Sequence, residues 1–305
     1  MTYLPRDFIE TNEGLFFAVV DGIVEEGKVL CFLRYGPYGK LKTDAANALL
    51  RESHPGYLYH SIRLDVDIHA VPIRSILRHH QPRKRVRDLL AHPPRDAIEA
   101  KLLNLLKLLM GDALPPDIFG VTGSLLIGRQ NELSDIDVVI YGRENFFRAL
   151  AKVRKLVKAG LLDKLDTVAS RNAYDRRGCE LSFEEYHWHA QRKGNMGVIE
   201  GTKFDLALGD EDTATQSLAN WVKTGKAMIK ARVLDDAYAF DQPARYAIDH
   251  PEIAEVLSFT QTYAGQAKTG ETIEAAGNVE ASEGGCKRLV VGSSREALGE
   301  FIRVV

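Results

Sequence analysis

From Phe8 to Ile76 the chain alternates apolar and polar residues with a period of two. The segments "GLFFAVVDGIV", "KVLCFLRYG" and "GYLYHSIRLDVDIHAVPI", with the turn Glu26-Gly27 between the first two, predict β-strands, and "KTDAANALLRE" predicts a short helix among them. The rhythm then changes. After the breaker-rich basic stretch "RHHQPRKRVRDLLAHPPRD", the leucines of "RDAIEAKLLNLLKLLM" fall nearly all round a helix, which predicts one covered on most sides and stopped at Gly111. Pro115-Pro116 leads into the strand "DIFGVTG", then the strand "IDVVIYG" and the helix "ENFFRALAKVRKLVKAG". Ser182 and Glu185 form a capping box for "FEEYHWHAQRK", and "NMGVIEG" with "TKFDLAL" reads as a hairpin around Gly201.

Past Trp221 the two-residue rhythm returns. "KAMIKARVLDDAYAF", "ARYAID", "EVLSFTQTYAGQA", "ETIEAAGNVEAS", "KRLVVGS" and "EFIRVV" are short segments parted by Gly, Pro, Asp and Ser, which suits a small barrel or sandwich. The expected architecture is therefore α+β, an α/β module between two β-rich regions. Its expected bounds are 1–90 for the first region with its basic linker, 91–222 for the module and 223–305 for the last region.

Composition narrows the class only a little. A chain of 305 residues, 45% apolar and 27% charged, can bury a substantial core, and a net charge of −2 excludes a strong global attraction to nucleic acid. Cys31, Cys179 and Cys286 are far apart and lack metal-ligand spacing, which predicts reduced thiols. No run approaches the length of a membrane span and "MTYLPRDFIE" has no apolar leader pattern, so a cytoplasmic protein without membrane contact is expected.

The candidate chemistry lies in the middle. Val121-Thr122-Gly123-Ser124 reads as a strand end passing through a glycine into a helix start, where backbone N–H groups favour a phosphate. Downstream, Asp135-Ile136-Asp137 opens the run Val138-Val139-Ile140, and strand alternation points Asp135 and Asp137 to the same side. Neighbouring carboxylates repel unless a cation neutralises them, and all-oxygen ligands suit Mg²⁺. A phosphate cradle beside such a pair points to phosphoryl chemistry.

Gly123-Ser124 followed by Asp-x-Asp within "SDIDVVIYG" resembles the signature of the nucleotidyltransferase superfamily related to DNA polymerase beta. The resemblance runs from about Pro94 to Trp221. The family has a third carboxylate on a later strand, and Asp205 is the candidate, since "GTKFDLAL" places Lys203, Asp205 and Ala207 on one face and Phe204, Leu206 and Leu208 on the other. The resemblance implies a mixed sheet with helices and transfer of an NMP from an NTP, ATP or CTP being the expected donors, with release of pyrophosphate. It implies two Mg²⁺ ions, with Mn²⁺ as a substitute, held by Asp135, Asp137 and Asp205, with Asp205 helping to deprotonate the acceptor hydroxyl. Gly123 and Ser124 would hold the β and γ phosphates, and Arg129 would add positive charge there or simply be solvated. The acceptor could be RNA or a small molecule.

Other features read as structural. Asp65 and Asp67 form a second Asp-x-Asp without a preceding cradle and are expected on a solvated strand face. Arg83, Lys84, Arg85 and Arg87 could hold a polynucleotide backbone or the triphosphate, but a solvated surface shared with His79 and His80 is the favoured expectation. His187 and His189, two apart on a helix, cannot share a metal. Lys230, Arg232, Lys287 and Arg288 could line a nucleic-acid groove on the last region, but without interleaved aromatics a structural role is favoured. The rival class is a non-catalytic nucleotide- or RNA-binding regulatory protein on the same fold, and neither acceptor, base nor oligomeric state is legible.

Overall fold

The computed structural model describes residues 2–111, 113–209, 220–292 and 297–305. The architecture is α+β, and the chain divides into two compact units: Met1–Ser61, Asp67–Lys164 and Gly194–Ser217 form the first, and Ile62–Val66, Leu165–Lys193 and Leu218–Val305 the second.

The first unit contains two sheets. Strands β1 (Phe8–Thr11), β2 (Phe16–Glu25), β3 (Lys28–Gly36), β4 (Gly39–Lys40), β5 (Leu58–Ser61), β6 (Val66–Pro72) and β7 (Ile76–His80) make a 7-stranded sheet in the order β5-β6-β3-β2-β1-β7, with β4 beside β3. Helix α1 (Thr43–Ser53) buries Ala46 and Leu50 against Ile9, Phe17, Val29 and Leu33, which is why the alternating segments have one apolar face. His79 and His80 do not lie on a solvated surface. They end β7, and antiparallel pairing with β1 sets His79 2.7 Å from Asp7, both side chains nearly buried, and His80 3.0 Å from Glu10.

The basic connection is also different from its expected form. Pro82–Leu90 is helix α2, begun by Pro82 at the first turn, where a proline loses no hydrogen bond. Two of its charges face partners, Arg83 lying 3.8 Å over the Tyr141 ring and Arg85 donating to Leu125 O at 2.9 Å and to Glu99 at 2.7 Å, while Lys84 and Arg87 are exposed as expected. Glu99 sits in the first turn of α3 (Ala97–Leu109), which is capped by Asp96 and buries Leu102, Leu105, Leu106 and Leu109 completely.

Strands β8 (Phe119–Val121), β9 (Ile136–Tyr141), β10 (Asp163–Lys164), β11 (Met196–Ile199) and β12 (Thr202–Gly209) form the second sheet, ordered β10-β11-β12-β9-β8. Short helix α4 (Gly123–Leu126) follows β8, and α5 (Arg143–Lys158) packs against β9 and β12. Residues Ile136, Val138, Val139 and Ile140 are fully buried, so this strand reads as a continuous apolar run because both of its faces are covered. Among the described residues of this sheet only β9 and β12 pair in parallel, and a parallel neighbour needs a long crossover, supplied here by the chain between Tyr141 and Thr202.

The second unit contains α6 (Thr167–Arg177), α7 (Phe183–Lys193) and strands β13 (Trp221–Asp235), β14 (Ala244–Asp249), β15 (Glu255–Ser258), β16 (Thr272–Ser282), β17 (Lys287–Val291) and β18 (Phe301–Val304). Because β13 pairs with both β14 and β16, the order β13-β14-β15-β17-β16 closes on itself into a small barrel, one of the two forms the sequence suited, with β18 added beside β16. Helix α6 has no apolar stripe and was not legible from the pattern. The capping box at α7 forms in both directions, at 2.8 and 3.2 Å. His189 is buried and His187 stacks on Phe183, as their different faces require. Lys230, Lys287 and Arg288 each have a carboxylate partner, Glu274, Glu252 and Glu280. Asp67 is exposed beside His60, whereas Asp65 sits at a turn with φ +48° and accepts from the Lys223 backbone. The three cysteines are free. Among the described residues no helix is long and apolar enough to cross a membrane.

Candidate active site

The pairing of β9 with β12 brings together residues far apart in the chain. Asp137 and Asp205 are direct register partners on these parallel strands and so stand side by side on one face. On the other side of β9, β8 runs antiparallel and ends beside Asp137, where Thr122 N–H donates to Asp137 O at 2.9 Å. Gly123 comes next. Its φ of +68° suits glycine, and a Cβ there would lie 2.6 Å from Asp137 Oδ2. The glycine thus leaves open the space against the carboxylate itself, and Ser124 starts the short helix behind it.

Asp135 precedes β9 and Asp205 lies within β12, with side chains 25% and 20% exposed, and Lys203 reaches both. The Lys203 ammonium, 5% exposed, contacts Asp205 Oδ2 and is 3.7 Å from Asp135 Oδ2. Burial and the neighbouring Asp205 push the Asp137 carboxyl above the usual carboxylate range, while Lys203 opposes them. Burial would lower the Lys203 ammonium, but Asp205, Asp135 and Asp137 together raise it above its ordinary value. The site is a negative cluster with a cation inside it.

Arg6 comes from the segment before β1. Its main chain is fixed at φ +81°, with its N–H donating to Val19 O at 3.0 Å and its carbonyl accepting from Thr122 Oγ1 at 2.6 Å. The guanidinium donates through Nε to Leu208 O at 3.3 Å, and Nη2 is buried with no hydrogen-bond partner. Burial lowers its pKa, against the attraction of Tyr141, Asp137 and Asp205, and Lys40 adds a smaller positive influence on Asp137. Arg129 donates through its main-chain N–H to Ser124 O at 2.9 Å, while its guanidinium lies over the Phe16 ring at 5.1 Å and donates to Pro37 O at 3.4 Å.

The donor chemistry suits a hard divalent ion, since the Asp137 and Asp205 carboxylates stand in register, Asp135 shares Lys203 with Asp205, and Gly123 puts no Cβ against Asp137. Among the described residues, however, no three acidic, His or Cys side chains are already closed around a metal position. The Lys203 ammonium stands among them instead. Lys203 had a signal in the sequence, two positions before Asp205 on the same strand face. Arg6 had none, because its neighbours lie more than a hundred positions away.

A nucleotidyltransferase domain model matches residues 112–189, which include Gly123, Ser124, Asp135 and Asp137 but stop short of Asp205. An uncharacterised protein of Methanocaldococcus jannaschii is 34% identical over 335 aligned positions that cover 98% of each chain. No solved structure matches the chain.

Proposed function

Because the chain belongs to the nucleotidyltransferase superfamily, we propose that it transfers a nucleoside monophosphate from an NTP to an acceptor hydroxyl. The observation that carries this reading is the register of Asp137 with Asp205 beside the open Gly123 backbone. The acceptor oxygen bonds to the α-phosphorus, the bond from that phosphorus to the bridging oxygen breaks, and pyrophosphate leaves. Asp205, on the partly exposed side of the cluster, takes the hydroxyl proton and passes it to water. Asp135, Asp137 and Asp205 are the residues that would hold Mg²⁺ or Mn²⁺. When bound, these ions supply charge neutralisation at the phosphates and acidify the acceptor hydroxyl. Gly123 and Ser124 admit the triphosphate close to the backbone, and ATP or CTP is the proposed donor.

RNA or a small molecule is the proposed acceptor. The test is incubation with each α-labelled NTP, Mg²⁺ and total cellular RNA or extract, with Asp137→Asn protein in parallel. Label incorporated by the wild type and not by the variant supports the reading. The ammonium inside the carboxylate cluster is what a non-catalytic nucleotide-binding protein on this fold would also have. Mg²⁺-dependent NTP binding with no label incorporated from any of the four nucleotides would favour that second reading.

A further inference from the structure

Lys203 has two unfavourable features that cancel each other. A lysine side chain that is 5% exposed loses most of its hydration, and burying an ammonium without partners is costly. Three carboxylates set on adjacent strand positions repel one another, which is costly as well. The ammonium touches Asp205 and stands 3.7 Å from Asp135, so each cost is met by the other. The strand geometry enforces this arrangement, because residues two apart in β12 share a face and Asp205 is locked in register with Asp137.

The same geometry creates a conflict. Asp135 and Asp205 are two of the three carboxylates that would hold a divalent ion. A divalent ion within a few ångströms of the ammonium would be repelled strongly, since charges in a poorly hydrated site are little screened. Both carboxylates remain partly open to water, at 25% and 20% exposure, and lysine has a flexible four-carbon stem. The ammonium therefore has a route out.

We propose that Lys203 is a built-in counter-ion, a positioning residue that holds Asp135 and Asp205 together in the metal-free protein and must leave before a metal ion binds between them. This rests on the metal-dependent transfer reading above. A lysine displaced toward solvent on that side gains a new anionic partner only when a triphosphate is present. Metal alone therefore binds weakly, and metal with nucleotide binds well.

The test uses the full chain and Mn²⁺ without nucleotide, followed by electron paramagnetic resonance and calorimetry, together with melting curves in chelator. Lys203→Met should melt lower than wild type in chelator, recover with Mn²⁺, and bind Mn²⁺ roughly tenfold or more tightly than wild type, as expected for loss of a nearby like charge. The double variant Lys203→Met/Asp205→Asn guards against simple misfolding. It removes one charge of each sign and should melt higher in chelator than Lys203→Met alone. Equal Mn²⁺ affinity in wild type and Lys203→Met overturns the proposal while leaving metal-dependent transfer standing. A double variant that melts as low as Lys203→Met overturns it too, by showing that Lys203 acts through packing. Absence of nucleotide-free Mn²⁺ binding in every variant, Lys203→Met included, overturns the displacement, whereas metal-dependent transfer fails only if no label is incorporated with Mg²⁺ and NTP.

Discussion

Two buried charge groups, one in each unit, illustrate how the same interaction serves different ends. In the barrel, Arg288 donates to Glu280 through Nε at 2.9 Å and Nη2 at 2.8 Å, with both side chains under a tenth exposed and the guanidinium 3.8 Å over the Trp221 ring. One cation meets one carboxylate across neighbouring strands. Burial raises the Glu280 carboxyl and lowers the Arg288 guanidinium, so each partner bears a desolvation cost that the other offsets. In the β9–β12 sheet, Lys203 faces Asp135 and Asp205 together, and Arg6 and Lys40 add positive charge near Asp137. The first group is a bidentate pair of one cation and one carboxylate. The second gathers three acids of fixed geometry at a rim where water reaches, and such a cluster is what a cationic ligand can complete.

The sharpest way to break this contrast is to remove a carboxylate from the three-acid group. Asp137→Ala should leave the metal-free protein at least as resistant to heat as wild type, because it relieves repulsion, while single-turnover transfer falls by at least about a thousandfold. A variant that unfolds, or one that still transfers, contradicts the contrast. Gly123→Val changes no charge but puts a side chain 2.6 Å from Asp137 Oδ2 at a φ of +68°. It should cost NTP affinity about a hundredfold, measured by calorimetry, through displacement of the carboxylate as well as loss of the open backbone. Cradle and carboxylate are therefore one unit here.

The bidentate pair should respond in the opposite way. Arg288→Met leaves Glu280 buried and unpaired and should lower unfolding free energy by about 3–5 kcal/mol, while Arg288→Met/Glu280→Leu recovers most of it. NTP affinity of the folded fraction should not change in either. Denaturant melts of the two variants decide this.

Glu99 has cations in excess, with Arg85 and Arg95 at 2.7 and 2.6 Å. Burial would raise its pKa, but hydrogen bonds and charge from the arginines hold it down to about 2 against an ordinary 4.5. A depressed carboxylate contributes stability that is complete above its ordinary pKa and vanishes as pH falls through the folded value. Glu99→Gln should therefore cost roughly 2–3 kcal/mol at pH 7, with the gap to wild type closing between pH 4.5 and 2. Ser124→Ala is the mildest change. One hydroxyl is lost and the backbone donors stay, so NTP affinity should drop by about 1 kcal/mol.

Much of this arrangement was readable from one chain because it depends on short-range spacing. Strand alternation alone places Lys203, Asp205 and Ala207 on one face, a glycine alone marks the turn before Ser124, and Ser182 with Glu185 alone marks the start of α7. Reading failed where the partner was distant. His79 and His80 seemed superficial until β7 paired with β1 and buried them against Asp7 and Glu10. Lys84 and Arg87 of the basic run are exposed, as its composition suggests, but α2 sets Arg83 on Tyr141 and Arg85 on Glu99. Helix α6 carried no apolar stripe to announce it.

The sequence by itself determined the two-residue and helical rhythms, the Gly-Ser and Asp-x-Asp spacing, and the family these carry, since such features are set by backbone geometry over a few residues. Tertiary structure alone decided that β12 runs parallel to β9, which puts Asp205 level with Asp137 across a long crossover. It alone decided that Arg6 turns its guanidinium toward the same sheet and that the ammonium of Lys203 fills the space among the acids. The physical reason is range: local rules fix which way a side chain leaves its strand, and only the register of distant strands fixes what it meets there.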